Sequence, residues 1–187
     1  FIKELKKPEN IIIENQKILE DIKVKSEKVI FVSGHFNNFE LMAMHLERSE
    51  INVAAIYRPL NNIFLNPIME YIRKKYICKI QIKKGISGTK DILKNFNKGA
   101  SIALMIDQRV TQGIKCDFFN KKAFTTTIPA QFVKKYGVKV VPIYIERIAN
   151  NNFKLKINDP IKFENQDTIE TITLKLNKKL ELMIKKK

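Results

Sequence analysis

Cysteine and histidine are scarce in this 187-residue chain, with two of each, and long apolar runs are missing altogether. Cys78 and Cys116 have neither metal-ligand spacing nor the numbers for a disulfide framework, which fits a reducing compartment. His35 and His45 lack nearby ligands at the spacing a zinc site requires. No G-x-S-x-G nucleophile elbow occurs, no segment approaches the ~18 apolar residues of a membrane span, and no secretory signal is visible, although the sequence begins at Phe1 rather than Met. There is no internal repeat and no linker rich in Gly, Pro or Ser.

Acidic residues are the other shortage. Against 35 Lys and Arg there are 19 Asp and Glu, a formal net charge of +16. Such a surplus attracts phosphorylated lipids, anionic bilayers, acidic proteins or nucleic acid. The abundance of Lys, Ile and Asn, whose codons are AT-rich, is a second source of the lysine excess. The five arginines (Arg48, Arg58, Arg73, Arg109 and Arg147) run against that bias. They carry more information singly, because guanidinium is the group suited to planar, two-point recognition of phosphate or carboxylate.

What is present describes a globular chain. Hydrophobic residues make up 44% and charged residues 29%. The length suits one domain, 1–187, able to bury roughly 70% of its unfolded surface. Apolar, β-branched blocks read as strands buried on both faces: KVIFVSG (28–34), INVAAIYR (51–58), ASIALMID (100–107) and VKVVPIYIER (138–147). CKIQIK (78–83) and NFKLKIND (152–159) alternate as strands. Helical spacing marks 9–22, 39–49, 63–76 with a break at Pro67, 88–99 closed by Gly99, 128–136 opening at Pro129, and 168–186. Strands alternating with helices predict an α/β fold with a largely parallel central sheet flanked by helices. His35, Arg58 and Asp107 each fall at the carboxyl end of a predicted strand, where ligands of such sheets bind.

In VIFVSGHFNNFEL (29–41), His35 stands just past a buried strand, with Glu40 five residues on. On one continuous helix these two point roughly 140° apart. They meet only if the helix begins between them, and Asn37 and Asn38 offer a cap or a left-handed turn there. A histidine oriented by a carboxylate takes a proton from an alcohol near neutral pH. No serine or cysteine stands where a nucleophile is needed, Ser33 being too close in sequence. The pair therefore suits direct activation of a substrate hydroxyl. His45 reads as an ordinary helical residue.

SGHFNNFE (33–40) resembles the H-x4-E/D motif of the lysophospholipid acyltransferase superfamily. It is most similar to the lipid A biosynthesis (lauroyl/myristoyl-type) acyltransferases, whose block commonly reads H-F-G-N-W-E. Asn37 replaces the usual glycine and Phe39 the usual tryptophan. Three further blocks follow in the family's order: IYRPLNN with Arg58 and a helix carrying Arg73; GTKDILKNFNKGASIALMIDQR with Asp107 and Gln108; and CDFFNKKAFTTTIPAQFVKKYGVKVVPIYIER, with Asn120 at a usual glycine. The resemblance spans about 28–147. The family's N-terminal hydrophobic anchor and Trp-rich basic C-terminal segment are not in this sequence, which has no tryptophan, so a fragment truncated at both ends is expected.

The resemblance implies a glycerol-phosphate-acyltransferase-like fold and transfer of a fatty acyl chain from a thioester to a hydroxyl of a lipid A precursor. His35 would be the general base and Glu40 its orienting carboxylate. Arg58 would stabilise oxyanion charge or grip an acceptor phosphate, and Asn38, Arg73, Asp107 and Gln108 would contact substrate or shape its pocket. Phe118, Phe119 and Phe124 fit core packing or an acyl channel, and Arg109 faces water. No cofactor is implied. The co-substrate would be acyl-acyl carrier protein or acyl-coenzyme A, the acidic carrier protein suiting a basic enzyme. The partners would be that carrier, a lipid acceptor and an anionic membrane surface, at the cytoplasmic face of the bacterial inner membrane. Another glycolipid or lysophospholipid acceptor is the nearer alternative. A non-catalytic basic protein binding nucleic acid or membrane is the more distant one. Aromatics do not interleave with basic residues as stacking surfaces would, and no nucleic-acid motif occurs, so no nucleic-acid partner is expected.

Overall fold

The structure, a computed structural model, describes residues 11–149 and 152–185. The chain runs β1 (Ile11–Glu14), α1 (Lys17–Val24), β2 (Ile30–Ser33), α2 (Glu40–Arg48), β3 (Val53–Tyr57), α3 (Leu65–Tyr76), β4 (Ile80–Lys83) and α4 (Ile86–Asn97). It continues with β5 (Ser101–Met105), β6 (Ile114–Phe118), β7 (Lys121–Thr125), α5 (Ile128–Tyr136), β8 (Val140–Arg147), β9 (Phe153–Ile157) and α6 (Ile169–Lys185). Seven strands form one sheet in the order β1-β9-β8-β2-β5-β3-β4, and β6-β7 make a separate ribbon. Every neighbouring pair in the large sheet is parallel except β8-β9. This is the expected α/β architecture.

The apolar strand blocks are explained by helices on both faces. Phe31, Val53, Ala55, Ala103, Met105, Val141, Ile143 and Ile145 point to one side, where Leu19 and Ile22 of α1 and Leu41, Met42, Met44 and Leu46 of α2 cover them. Alternate residues Ile30, Val32, Ala54, Ile102 and Leu104 point to the other, against Ile92 and Phe96 of α4, Phe132 of α5, and Ile172, Leu176 and Leu180 of α6. α3 belongs to the first face, where only its C-terminal Tyr76 and the following Ile77 and Cys78 reach the core. Among the described residues no helix is long and apolar enough to cross a membrane.

Three expectations are corrected. The single helix read over 9–22 is a strand followed by a helix: Ile11–Glu14 pairs in parallel with Phe153–Lys156, and residues 9 and 10 lie outside the described residues. Asn15 divides the two elements with φ 63°, and its side-chain amide donates to the Ile157 carbonyl (3.0 Å). A left-handed residue ends the strand, so the apolar repeat is not one helix. Pro67 does not break its helix. It occupies the third position of α3, where a backbone N–H would have no intrahelical partner. The ribbon was not read from the sequence. Phe118 pairs with Lys121, and the two intervening residues, Phe119 and Asn120, have φ of 49° and 61°, a two-residue hairpin turn of the type that follows sheet twist.

Candidate active site

Strand register decides what meets His35. β2 and β5 pair Ser33 with Met105, and the Ile106 amide donates to the Ser33 carbonyl (2.9 Å). Two residues beyond that last pair, His35 and Asp107 come side by side. Asp107 Oδ1 lies 2.7 Å from His35 Nδ1, and Asp107 Oδ2 accepts the His35 backbone N–H at 2.7 Å. Gly34 makes room for this grip. A Cβ there would stand 3.1 Å from Asp107 Oδ2 and from the Phe36 ring, and 3.2 Å from Leu180, so a side chain would push the carboxylate away.

The far ring nitrogen has its own partner. Gln108 Nε2 is 3.1 Å from His35 Nε2, and Gln108 Oε1 accepts from Lys84 Nζ at 3.2 Å. The lysine can only donate, so it fixes which end of the amide faces the imidazole. An NH2 facing Nε2 and a carboxylate facing Nδ1 both require the neutral ring protonated on Nδ1. Nε2 then carries the lone pair, which is the state of a general base. The Phe39 ring meets the imidazole edge-on, with centroids 4.9 Å apart.

A second pair arises in the same way. β3 and β4 pair Tyr57 with Lys83, and the Lys84 amide donates to the Tyr57 carbonyl (2.8 Å). Arg58 and Lys84 therefore stand side by side just past their strands. Burial and the Arg58 charge hold the Lys84 ammonium below the usual lysine range, with Asp107 opposing. Two cations held together in this way are chemically suited to receive an anion.

Glu40 opens α2 but does not reach His35. Its Oε1 accepts from Arg73 Nε (2.9 Å) and Nη2 (2.8 Å) on α3. Both side chains are largely buried, and Tyr57 lies against the guanidinium with its ring centroid 5.4 Å from Cζ. Glu40 Oε2 and Arg73 Nη1 are buried without a hydrogen-bond partner. The structure does not bring the Glu40 carboxylate to the imidazole: β5 is the strand next to β2, so Asp107 faces His35, while the first turn of α2 faces α3. Asn37 does adopt the left-handed turn (φ 38°).

These groups surround a cavity of about 820 Å³, within the usual size range of ligand sites. His35, Arg58, Lys84 and Gln108 line its polar part, and Glu40 and Arg73 a side wall. Its apolar part runs between α2 and the sheet along Phe31, Met42, Ala43, Leu46, Ala55 and Ile77. Asn38 is not in the lining. Its carbonyl accepts from the Leu41 amide (3.1 Å) in the turn that opens α2. Phe118 packs in the core, Phe119 against Phe118, and Phe124 lies near Arg109 and Lys115; none of the three lines the cavity. Lys84 was not read from the sequence. Its signal was the same as that of His35 and Asp107, a polar residue directly after a strand of the parallel sheet.

Ser33 in the cavity lining and Cys78, next to the lining residue Ile77, are both engaged elsewhere. Ser33 Oγ is buried and donates to the Ile143 carbonyl (2.6 Å). Cys78 is buried, its thiol donates to the Val53 carbonyl, and desolvation pushes it up to about 12. A histidine whose Nε2 lone pair faces only a side-chain amide, a serine and a cysteine engaged elsewhere, and an adjoining apolar cavity suit transfer of an apolar group directly to a substrate hydroxyl.

The family described as bacterial lipid A biosynthesis acyltransferase matches residues 2–187. The chain belongs to that family. No curated protein matches it. The protein is an acyltransferase, with an acyl donor and a lipid acceptor as substrates. For an acyltransferase the cavity divides naturally, with an apolar length beside a polar end that carries the His35 imidazole and two cations.

Proposed function

We propose that this acyltransferase moves a fatty acyl chain from acyl-acyl carrier protein to a hydroxyl of a lipid A precursor, at the cytoplasmic face of the bacterial inner membrane. The observation that carries the reading is the Asp107–His35 contact, which leaves Nε2 unprotonated beside an apolar cavity. The acceptor hydroxyl displaces Gln108 from Nε2 and gives its proton to the ring. Its oxygen attacks the thioester carbonyl, and the tetrahedral intermediate expels the thiolate, which recovers the proton from the imidazolium. Asp107 holds the ring and stabilises its positive form. Arg58 and Lys84 take an acceptor phosphate or the developing oxyanion. Glu40 acts through Arg73, whose guanidinium it holds in the cavity wall. The +16 charge supports an acidic carrier protein as donor, and two unpaired cysteines fit a reducing compartment.

The test is product mass. Purified protein, a lipid A precursor and either acyl-acyl carrier protein or acyl-coenzyme A are incubated, and the lipid is analysed by mass spectrometry. One added acyl chain is expected with the carrier protein, and His35→Ala is expected to lose transfer by about 10²-fold or more. Full activity in His35→Ala would sink the base assignment. Equal use of acyl-coenzyme A would overturn the donor, and no product from this acceptor would overturn the acceptor.

The apolar part of the cavity supports an acyl-chain role with a separate test. Ala55 on β3 packs in the core under α2 and also lines the cavity, so Ala55→Leu extends the side chain into the cavity's apolar end. The ratio of long-chain to short-chain transfer is expected to fall by about tenfold, measured by competition between two donors. An unchanged ratio would place the chain elsewhere.

A further inference from the structure

Eleven large apolar side chains are exposed among the described residues, and six of them fall within residues 60–71: Leu60, Ile63, Phe64, Leu65, Ile68 and Tyr71. Ile63 and Phe64 are 75% and 79% exposed. The other five (Ile12, Val24, Phe119, Tyr136 and Leu182) are scattered along the chain. Among the described residues α3 is also the only helix with no buried residue. Single exposed hydrophobes are ordinary on a protein surface, but a contiguous group marks a surface that something covers.

The group is held in place. Asn62 Oδ1 accepts from the amides of Phe64 and Leu65 (3.0 and 3.1 Å), and its carbonyl accepts from the Asn66 amide (3.0 Å). Asn66 Oδ1 reaches back to the Leu60 amide (2.9 Å), and Asn66 Nδ2 donates to Glu70 (2.6 Å). Polar side chains thus satisfy the turn internally while the apolar ones point out. On the helix, Ile68, Tyr71 and Lys75 follow at spacings of three and four on one outward face. Lys75 Nζ donates to the Tyr71 hydroxyl (2.9 Å).

Charge names the occupant. Residues 58–84 hold seven Lys and Arg against one acidic residue, Glu70. Arg73, Lys79 and Lys83 pair with Glu40, Glu47 and Glu70, while Arg58, Lys74, Lys75 and Lys84 have no salt bridge among the described residues. Apolar side chains at the tip and lysines behind them form the pattern of a segment lying in the interface of an anionic bilayer. Position agrees, since Arg58 and Lys84 at the polar end of the cavity flank this same segment. We propose that the 60–65 turn and the outward face of α3 dock on an anionic membrane surface, Ile63 and Phe64 entering below the headgroups and the lysines meeting lipid phosphates. The cavity then opens where a lipid acceptor resides. The location rests on the acyl-transfer reading above, but the binding test does not.

The sequence has no tryptophan, so Phe64→Trp supplies a single reporter. On adding vesicles of phosphatidylglycerol and phosphatidylcholine, its emission is expected to move to shorter wavelength and to be quenched by brominated acyl chains. Leu182→Trp, on the opposite face of the sheet, is expected to do neither. In flotation assays, Ile63→Ser/Phe64→Ser/Ile68→Ser is expected to weaken vesicle binding by about tenfold or more with an unchanged melting temperature. It should also retain transfer to a detergent-dispersed acceptor. Equal vesicle binding by wild type and the triple variant would overturn the proposal. So would a Phe64→Trp emission insensitive to vesicles, or a wild-type dimer that the triple variant converts to monomer in light scattering, which would assign the surface to a second copy. If vesicle binding behaves as expected and no acyl transfer occurs, the docking surface stands and the reaction assignment fails.

Discussion

Asp107→Asn is expected to lower the rate of acyl transfer by about 10³- to 10⁴-fold while leaving the protein folded. The reason lies in the two-point contact. The His35 backbone N–H always donates and claims the single oxygen of an asparagine amide, because Asp107 Oδ2 accepts that bond in the wild type. The asparagine NH2 must then face His35 Nδ1, a position now held by an acceptor oxygen at 2.7 Å. An NH2 there demands the lone pair on Nδ1 and the proton on Nε2. The base is left in the wrong tautomer as well as without a countercharge. Glu40→Gln keeps an oxygen for Arg73 and is expected to lose much less rate than Asp107→Asn. Single-turnover rates of both variants beside His35→Ala make the comparison. A near-normal Asp107→Asn with an inactive Glu40→Gln would reverse the assignment and make Glu40 the partner of the imidazole during turnover.

That assignment was legible in the sequence only in part, and the missing part has a physical cause. Strands β2, β3, β5 and β8 were readable because both of their faces are covered, so they appear as unbroken apolar blocks. A site beyond their carboxyl ends was readable too, because His35, Arg58 and Asp107 each follow such a block. Which of these residues touch depends on strand order. β5 lies between β2 and β3, a crossover that leaves no local mark on the chain. Local reasoning therefore joined His35 to the carboxylate nearest in sequence, Glu40, rather than to the one 72 residues away. Lys84 escaped notice for the same reason, since its neighbour Arg58 belongs to a different strand. Elsewhere the obstacles were local. The isoleucines of β1 run into the apolar repeat of α1 without a glycine or proline to divide them, and the β6-β7 turn uses Phe119-Asn120 where a glycine would have announced it.

Removing one partner of the Glu40–Arg73 pair is expected to have the largest effect on stability. The two side chains are 12% and 13% exposed, so Glu40→Ala leaves a guanidinium largely out of water with no countercharge. That costs about 3–5 kcal/mol, which for a chain of this size lowers the melting temperature by roughly 10 °C. Arg73→Ala leaves the carboxylate stranded and is expected to cost as much. Glu40→Leu with Arg73→Met, by contrast, is expected to melt close to wild type, because the paired charges repay little of their own desolvation. Thermal and urea unfolding of the singles and the double decide the matter; a double variant as unstable as either single would mean that the pair itself holds α2 to α3. If the double is stable, the fold does not need these charges, and their retention calls for another reason. Both line the cavity, and each has one buried polar atom, Glu40 Oε2 and Arg73 Nη1, that no protein group satisfies. The two-point contact from Arg73 Nε and Nη2 to Glu40 Oε1 fixes the side wall against which a ligand in the cavity packs. The stable double variant is therefore expected to be impaired in acyl transfer, and it separates the pair's catalytic contribution from its structural one.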